Sequence, residues 1–166
     1  KPNSNVSGLG ERITFREDEN LQRLVWDEGI DIAERMNEPG RFTTIVGYEW
    51  GSTPGGNNLH RNVLFRDGPN RTKQILPFSS VHSDMPERLW DFLAEYEAKT
   101  GGEAFAIPHN SNLAGGLMFR DPQTPREAAD RLKFEPVIEL VQHKGASECR
   151  FDRLEGRGLL PLPHRV

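Results

Sequence analysis

The sequence predicts an α/β fold in which a mostly parallel sheet, or part of a barrel, is flanked by helices. Three observations carry that expectation. Apolar segments of helical and strand character alternate in the order α, β, β, α, β, α, β, the pattern of a parallel sheet with crossover helices. Several strand runs break off at ionisable residues, as strands do when they deliver side chains to one rim of such a sheet. A length of 166 residues, with 35% hydrophobic and 28% charged content, suffices for one domain with a buried core.

Residues 1–18 are polar and read as a lead-in segment. Over residues 19–36 the pattern turns helical: Leu21, Leu24, Val25, Ile32 and Met36 fall on one stripe, interrupted by Glu28, with Gly29 a weak point. Glu38-Pro39-Gly40 stops that helix. Residues 42–48 are β-branched and aromatic and predict a buried strand. A Gly/Asn loop at 51–58 precedes a second strand at 60–65, closed by Arg66-Asp67-Gly68-Pro69. Residues 70–82 look irregular. Ser83 or Asp84 caps the next helix, with Pro86 in its first turn and Leu89, Phe92, Leu93 and Tyr96 on its apolar face. Gly101-Gly102 ends it. Residues 104–107 form a short buried strand running into Pro108-His109-Asn110. After another Gly/Asn loop, Thr124-Pro125 opens a helix to Phe134, and residues 136–142 read as the last strand. The body of the domain spans 19–158, and 159–166 is an irregular tail.

Composition excludes several classes. A net charge of −4 argues against a general nucleic-acid binder, which carries a basic face. No apolar run approaches the ~20 residues of a membrane span, and the opening Lys-Pro-Asn-Ser-Asn is no signal peptide. The first residue is not Met, so a longer precursor or a truncated product is expected. The single Cys149 precludes an internal disulfide and a multi-cysteine zinc site. The compartment, cytoplasmic or periplasmic, stays open.

Chemistry collects at strand ends. Glu49 follows Ile45-Val46-Gly47-Tyr48, His109 and Asn110 follow Ala106-Ile107-Pro108, and Gln142, His143 and Lys144 follow Ile138-Glu139-Leu140-Val141. Glu49, between Tyr48 and Trp50, is a carboxylate that burial forces to find a partner or a metal. Its bland alternative is an ordinary ion pair with an arginine. His60 opens the next strand, and the alternative there is a core histidine bonded to a carbonyl. His109 enters behind a proline, and the alternative is a solvated turn histidine. One glutamate and two histidines make a donor set suited to Zn, Mn or Fe, although no short metal motif links them along the chain. Arg61, Arg66 and Lys144 can neutralise an anion. The Gly55-Gly56-Asn57-Asn58 and Gly115-Gly116 loops match no phosphate-binding fingerprint. Ser52, Ser111 and Ser147 lack the context of an activated nucleophile. Cys149, beside Glu148 and Arg150, reads as incidental.

Longer strings carry a family resemblance. Residues 41–50 (Arg-Phe-Thr-Thr-Ile-Val-Gly-Tyr-Glu-Trp), residues 55–67, Pro86-Glu87-Arg88-Leu89-Trp90, Ile107-Pro108-His109-Asn110-Ser111-Asn112, Glu135-Pro136 and residues 142–149 occur in an order that resembles the bacterial family catalogued as domain of unknown function 3604. That family is similar to a branch of the PHP (polymerase and histidinol phosphatase) superfamily, and the likeness runs over about residues 30–158. It implies a metal-dependent hydrolase on a distorted (β/α)7 barrel, holding divalent ions at strand ends and cleaving phosphoesters. It further implies metal ligation by Glu49, His60 and His109, catalytic roles for Glu49, His109 and Lys144, and substrate contacts from Arg61, Asn110 and Lys144, with Glu139 nearby. More than one ion is expected in a complete domain, and the expected substrate is a small anion such as a phosphoester. Two features of the superfamily are missing: an opening H-x-H strand and a closing D-x-H motif. Residues 1–41 contain no histidine, and after Lys144 only His164 remains. The chain therefore corresponds to the middle of such a barrel. The second reading is an inactive truncated paralogue that binds or oligomerises, either with itself or with a complementary segment. A carbohydrate-binding module is a third, drawn only from the aromatic and Asn-rich loops.

Overall fold

Asp18 starts the first helix by accepting the Leu21 N–H on its Oδ1 at 3.0 Å. The structure, a computed structural model, describes residues 18–146; the lead-in before Asp18, Ser147, Cys149, His164 and the tail at 159–166 lie outside the described residues. Helix α1 (Glu19–Met36) covers the span its periodicity predicts, but it buries the opposite face. Trp26 and Ile30 enter the core, whereas Leu24 is 66% and Ile32 47% exposed. The indole explains the choice: it buries the largest apolar surface on the helix, and its Nε1 donates to the Thr72 carbonyl at 3.1 Å.

Three strands follow: β1 (Val46–Trp50), β2 (Arg61–Phe65) and β3 (Ala104–Pro108). They lie in the order β1-β2-β3, and both pairs are antiparallel. This overturns the expected parallel sheet and the (β/α)7 barrel: among the described residues there is no parallel pair and no closed barrel. The physical reason lies in the connections. A parallel return needs a crossover of a dozen or more residues, usually helical. The loop between β1 and β2 holds only a three-residue 3-10 turn at Pro54–Gly56, so β2 folds straight back on β1. The long connection from β2, through α2 (Pro69–Thr72) and α3 (Pro86–Thr100), brings β3 to the other edge of β2 in the direction of β1. After α4 (Pro125–Phe134), only a small hairpin of β4 (Val141–Gln142) and β5 (Gly145–Ala146) remains of the last expected strand. Residues 136–140 lie outside it, although the Glu139 N–H donates to the Pro108 carbonyl at 3.1 Å.

Side chains alternate across this sheet. Trp50, Val63, Phe65, Ala104 and Ala106 point into a core shared with Trp26, Ile30, Leu89, Trp90, Leu93, Tyr96 and Phe134. Each of the larger apolar side chains contributes about 1.5–3 kcal/mol by leaving water. Gly47, Glu49, Leu64, Phe105 and Ile107 fall on the other face. At Gly47 a Cβ would sit 2.5 Å from the Val63 carbonyl oxygen, so no larger residue fits that pairing. Helix α3 presents the apolar face its sequence predicts, except that Phe92 is only partly buried. Its cap differs: Met85 occupies the N-cap position and Ser83 accepts the Met85 N–H at 3.1 Å. Gly101 ends the helix in the left-handed region at φ 66°. Thr124 caps α4 by accepting the Glu127 N–H at 3.1 Å, and Glu127 returns a carboxylate oxygen to the Gln123 N–H at 2.8 Å.

Two polar knots tie the layers. Asp67, just past β2, accepts from Arg71 (2.5 Å), the Tyr96 hydroxyl (2.9 Å) and the Glu103 N–H (2.7 Å). Burial alone would raise its pKa, but these hydrogen bonds outweigh it and hold the carboxyl below the ordinary aspartate value. Inside the core, Arg61 Nε and Trp90 Nε1 both donate to Glu135 Oε1, at 2.8 and 2.9 Å. Arg61 also donates to the Leu59 carbonyl and lies over the Trp50 ring at 5.7 Å. Both members of the Arg61–Glu135 pair are 1% exposed.

Removing one partner of a buried pair strands the other charge. Glu135→Ala is therefore expected to cost about 3–5 kcal/mol in urea unfolding, with a loss under 1 kcal/mol contradicting a structural role for the pair. The depressed pKa of Asp67 gives the second expectation. Its contribution is complete above the ordinary aspartate pKa and is lost as pH falls through the folded value. Asp67→Asn should accordingly flatten the acid limb of the stability–pH curve, and an unchanged limb would refute the assignment.

Candidate metal centre

Register decides where the candidate ligands go. The Leu59 N–H donates to the Ser52 carbonyl at 2.9 Å, which makes Trp50 and Arg61 the next hydrogen-bonded pair of the β1–β2 ladder. On the other side of β2, the His109 N–H donates to the His60 carbonyl at 3.2 Å. His60 thus stands one residue before β2, beside His109, which stands one residue past β3. Glu49 is opposite Asn62, and Asn62 is opposite Ile107. His60 and His109 lie two positions from Asn62 and Ile107, so all three candidate ligands share the face turned away from the core. The antiparallel pairing brings the start of β2 to the same rim as the ends of β1 and β3.

There the side chains converge. Glu49 Oε1 lies 2.7 Å from His60 Nδ1 and 3.1 Å from His109 Nε2. One ligand atom from each residue falls within 4.8 Å of the others. The two rings meet edge to face, with centroids 5.9 Å apart. His109 is nearly buried, with its side chain 8% exposed, while the Glu49 carboxylate opens to solvent at 53%. The hydrogen bond from His60, joined by that from His109, outweighs desolvation and holds the Glu49 carboxyl below its ordinary range.

The far nitrogen of each ring has its own oxygen. His60 Nε2 lies 3.3 Å from the Thr53 hydroxyl, and His109 Nδ1 lies 3.4 Å from the Ile107 carbonyl. In the metal-free triad His109 donates from Nε2 to Glu49; with an ion bound, the Ile107 carbonyl is placed to accept the ring proton on Nδ1 and leave the Nε2 lone pair for the ion. Three donors, one an anionic oxygen and two imidazole nitrogens with oxygen partners behind them, fit a divalent ion.

The other sequence candidates divide. Asn110 is fully buried beside His109, and its Oδ1 accepts from Lys144 Nζ at 3.4 Å and from Gln142 Nε2. Lys144 is thereby brought to the rim, and Gln142 with it. Arg61, expected at the substrate, instead points to the core side, where Glu135 and the Leu59 carbonyl engage it. Glu139 meets β3 through its backbone. Sequence reasoning missed Thr53 and Asn58. Their one signal is the polar Gly/Asn loop that leads to His60, which matches no phosphate-binding fingerprint.

With the site in view, family membership is clear: the chain belongs to the family described as "Protein of unknown function (DUF3604)", whose model matches residues 4–154. No curated protein matches the chain, and no solved structure does. No helix among the described residues is long and apolar enough to cross a membrane.

In metal-free protein the Glu49 carboxyl is expected to titrate below 4.5, its ordinary value, and to move back toward it in His60→Ala. Carboxyl-carbon NMR reads both midpoints. A wild-type midpoint above the ordinary value would contradict the hydrogen-bonded triad.

Proposed function

We propose that Glu49, His60 and His109 hold one divalent ion, zinc, manganese or iron, and that the chain carries part of the active site of a metal-dependent hydrolase of the phosphoesterase type. The observation that carries this reading is the meeting of one carboxylate oxygen and two imidazole nitrogens within 4.8 Å. Three protein ligands leave a coordination position for water, as catalytic sites do and closed structural sites do not. The reaction class draws on the resemblance to the PHP superfamily. A bound divalent ion supplies a water of lowered pKa and positive charge for an ester oxygen.

The chain's own residues supply the rest. Glu49, kept ionised by its two histidine partners, contributes the one negative charge of the donor set. With an ion bound, the Ile107 carbonyl would accept the ring proton on His109 Nδ1 and leave Nε2 to the ion. Lys144, tethered at 3.4 Å to Asn110, the residue after His109, would offset charge on a small anionic substrate. Arg61 takes no part, since it is spent in the core.

Titration calorimetry with zinc, together with elemental analysis, tests the reading. One ion per chain is expected in wild type, with affinity falling at least about tenfold in Glu49→Gln and in His109→Ala. Hydrolysis of bis(p-nitrophenyl) phosphate should require the ion and fall in Lys144→Ala. Unchanged stoichiometry and affinity in both ligand variants would remove the metal site. Hydrolysis as fast in Glu49→Gln as in wild type would remove the hydrolase.

A second reading, a binding or oligomerising unit, rests on a separate observation. The stripe of Leu24, Val25, Ile32 and Met36 on α1 is exposed, and the main-chain groups of Gly47 and Glu49 point away from β2 with no strand beyond them among the described residues. Sedimentation of the chain as a strict monomer at high concentration would count against it.

A further inference from the structure

Two loops end at the candidate ligands: the one following β1, which ends at His60, and the one following β3, which begins at His109. They are laced together by asparagines. The Asn58 N–H donates to the Leu113 carbonyl at 3.0 Å, and the Leu113 N–H donates to the Asn110 carbonyl at 2.8 Å. Asn58 Oδ1 accepts two hydrogen bonds at once, from the His60 N–H at 3.2 Å and from Asn110 Nδ2 at 3.2 Å. Asn110 Oδ1 in turn receives Lys144 Nζ and Gln142 Nε2.

The direction of every bond in this chain is set by its ends. A main-chain N–H only donates, so the Asn58 atom facing His60 is the oxygen. The Asn110 atom facing that oxygen is then the amide nitrogen. This leaves the Asn110 oxygen for the Lys144 ammonium, which also only donates. No amide can be flipped without setting donor against donor or acceptor against acceptor.

Asn110 also holds an unusual backbone. Its φ of 67° makes it the one non-glycine residue with positive φ among the described residues, and it is completely buried. Asparagine tolerates this region better than most residues, yet the conformation still costs free energy and persists only where surrounding bonds over-determine it. Here those bonds run from the side chain in both directions. The left-handed turn bends the chain directly after His109 and sends it to Leu113, beneath Asn58.

We propose that the Asn58–Asn110 amide pair is a positioning clamp that fixes His60 and His109 at ligand spacing and couples them to Lys144. The proposal rests on the metal reading for its purpose. Both asparagines act through the groups they bond, the His60 main chain and the Lys144 ammonium. The clamp requires an acceptor at position 58 and a donor at position 110, so the two positions should respond oppositely to one chemical change. Asn58→Asp keeps an oxygen in place for both donors. Asn110→Asp sets an oxygen against the Asn58 oxygen. Each adds one negative charge near the ligands, so their difference reports hydrogen-bond polarity rather than charge.

The test uses the full chain, Co²⁺ as the probe, and two readouts: cobalt affinity from the visible absorption of the bound ion, and hydrogen exchange at the His60 amide in metal-free protein. Asn58→Ala and Asn110→Asp are expected to weaken cobalt binding about tenfold or more and to speed His60 exchange, while Asn58→Asp stays within about threefold of wild type. Wild-type affinity and exchange in both Asn58→Ala and Asn110→Asp would overturn the clamp. So would equal losses in the two aspartate variants. If Asn58→Ala fails to fold, the isosteric aspartate pair decides. A wild-type chain that binds no cobalt would refute the metal reading. The clamp would then stand or fall on His60 exchange alone, with acceleration in Asn110→Asp but not in Asn58→Asp expected.

Discussion

Strand β2 is hydrogen-bonded on both sides, and its register against β1 and β3 is the constraint from which the site follows. Trp50 faces Arg61 across one ladder, and Arg61 faces Pro108 across the other. Because side chains alternate, a one-residue slip in either ladder would turn a ligand into the core and a core residue into the site. Each candidate ligand has a core-facing neighbour in sequence: Glu49 beside Trp50, His60 beside Arg61, His109 beside Pro108. Packing on one face of the sheet thereby sets the geometry on the other.

Arg61 makes that coupling concrete. Its guanidinium is held by Glu135, at the end of α4, and by the Leu59 carbonyl in the loop before β2. A buried ion pair is weak evidence of net stability against an apolar replacement. What it does supply is position. A charge that costs several kcal/mol to strand in the core has one satisfactory location, and that location fixes the start of β2 and with it the backbone of His60. The asparagine clamp then carries the same order across to the loop after β3. The site is held from below by the core and from the side by hydrogen bonds, while Glu49 remains open to solvent.

Much of this was legible in the residues. The apolar runs located β2 and β3, but the first strand starts only at Val46, with Phe42 and Ile45 exposed before it, and of the run at 136–142 only Val141 and Gln142 pair; Thr124 and Pro125 marked the start of α4, and Gly101 marked the end of α3. Glu49, His60 and His109 could be singled out by type and by their place at strand ends, and they do meet. The sheet's direction could not be read, because alternating helical and strand segments fit either sense and pairing depends on contacts far apart in sequence. The placement of Glu49 and His109 at one rim survived the wrong sheet type because β1 and β3 run in the same direction on either side of β2. Helix α1 was misjudged because periodicity shows that a face is apolar without saying which of two such faces a core will take. Arg61 was misassigned because its partner, Glu135, lies 74 residues away. Beyond the polarity of its loop, Asn58 gives no sign of its role, which exists only once two distant loops touch.

The most direct measurement is a crystal structure of the zinc-soaked chain with anomalous data collected at the zinc edge. One peak is expected at the open rim of the three-stranded sheet. Glu49 Oε1, His60 Nδ1 and His109 Nε2 should each lie about 2.0–2.2 Å from it, with the hydrogen-bonded triad opened to admit the ion. Density elsewhere on the molecule, or an empty rim at saturating zinc with the carboxylate still bonded to both rings, would contradict the account.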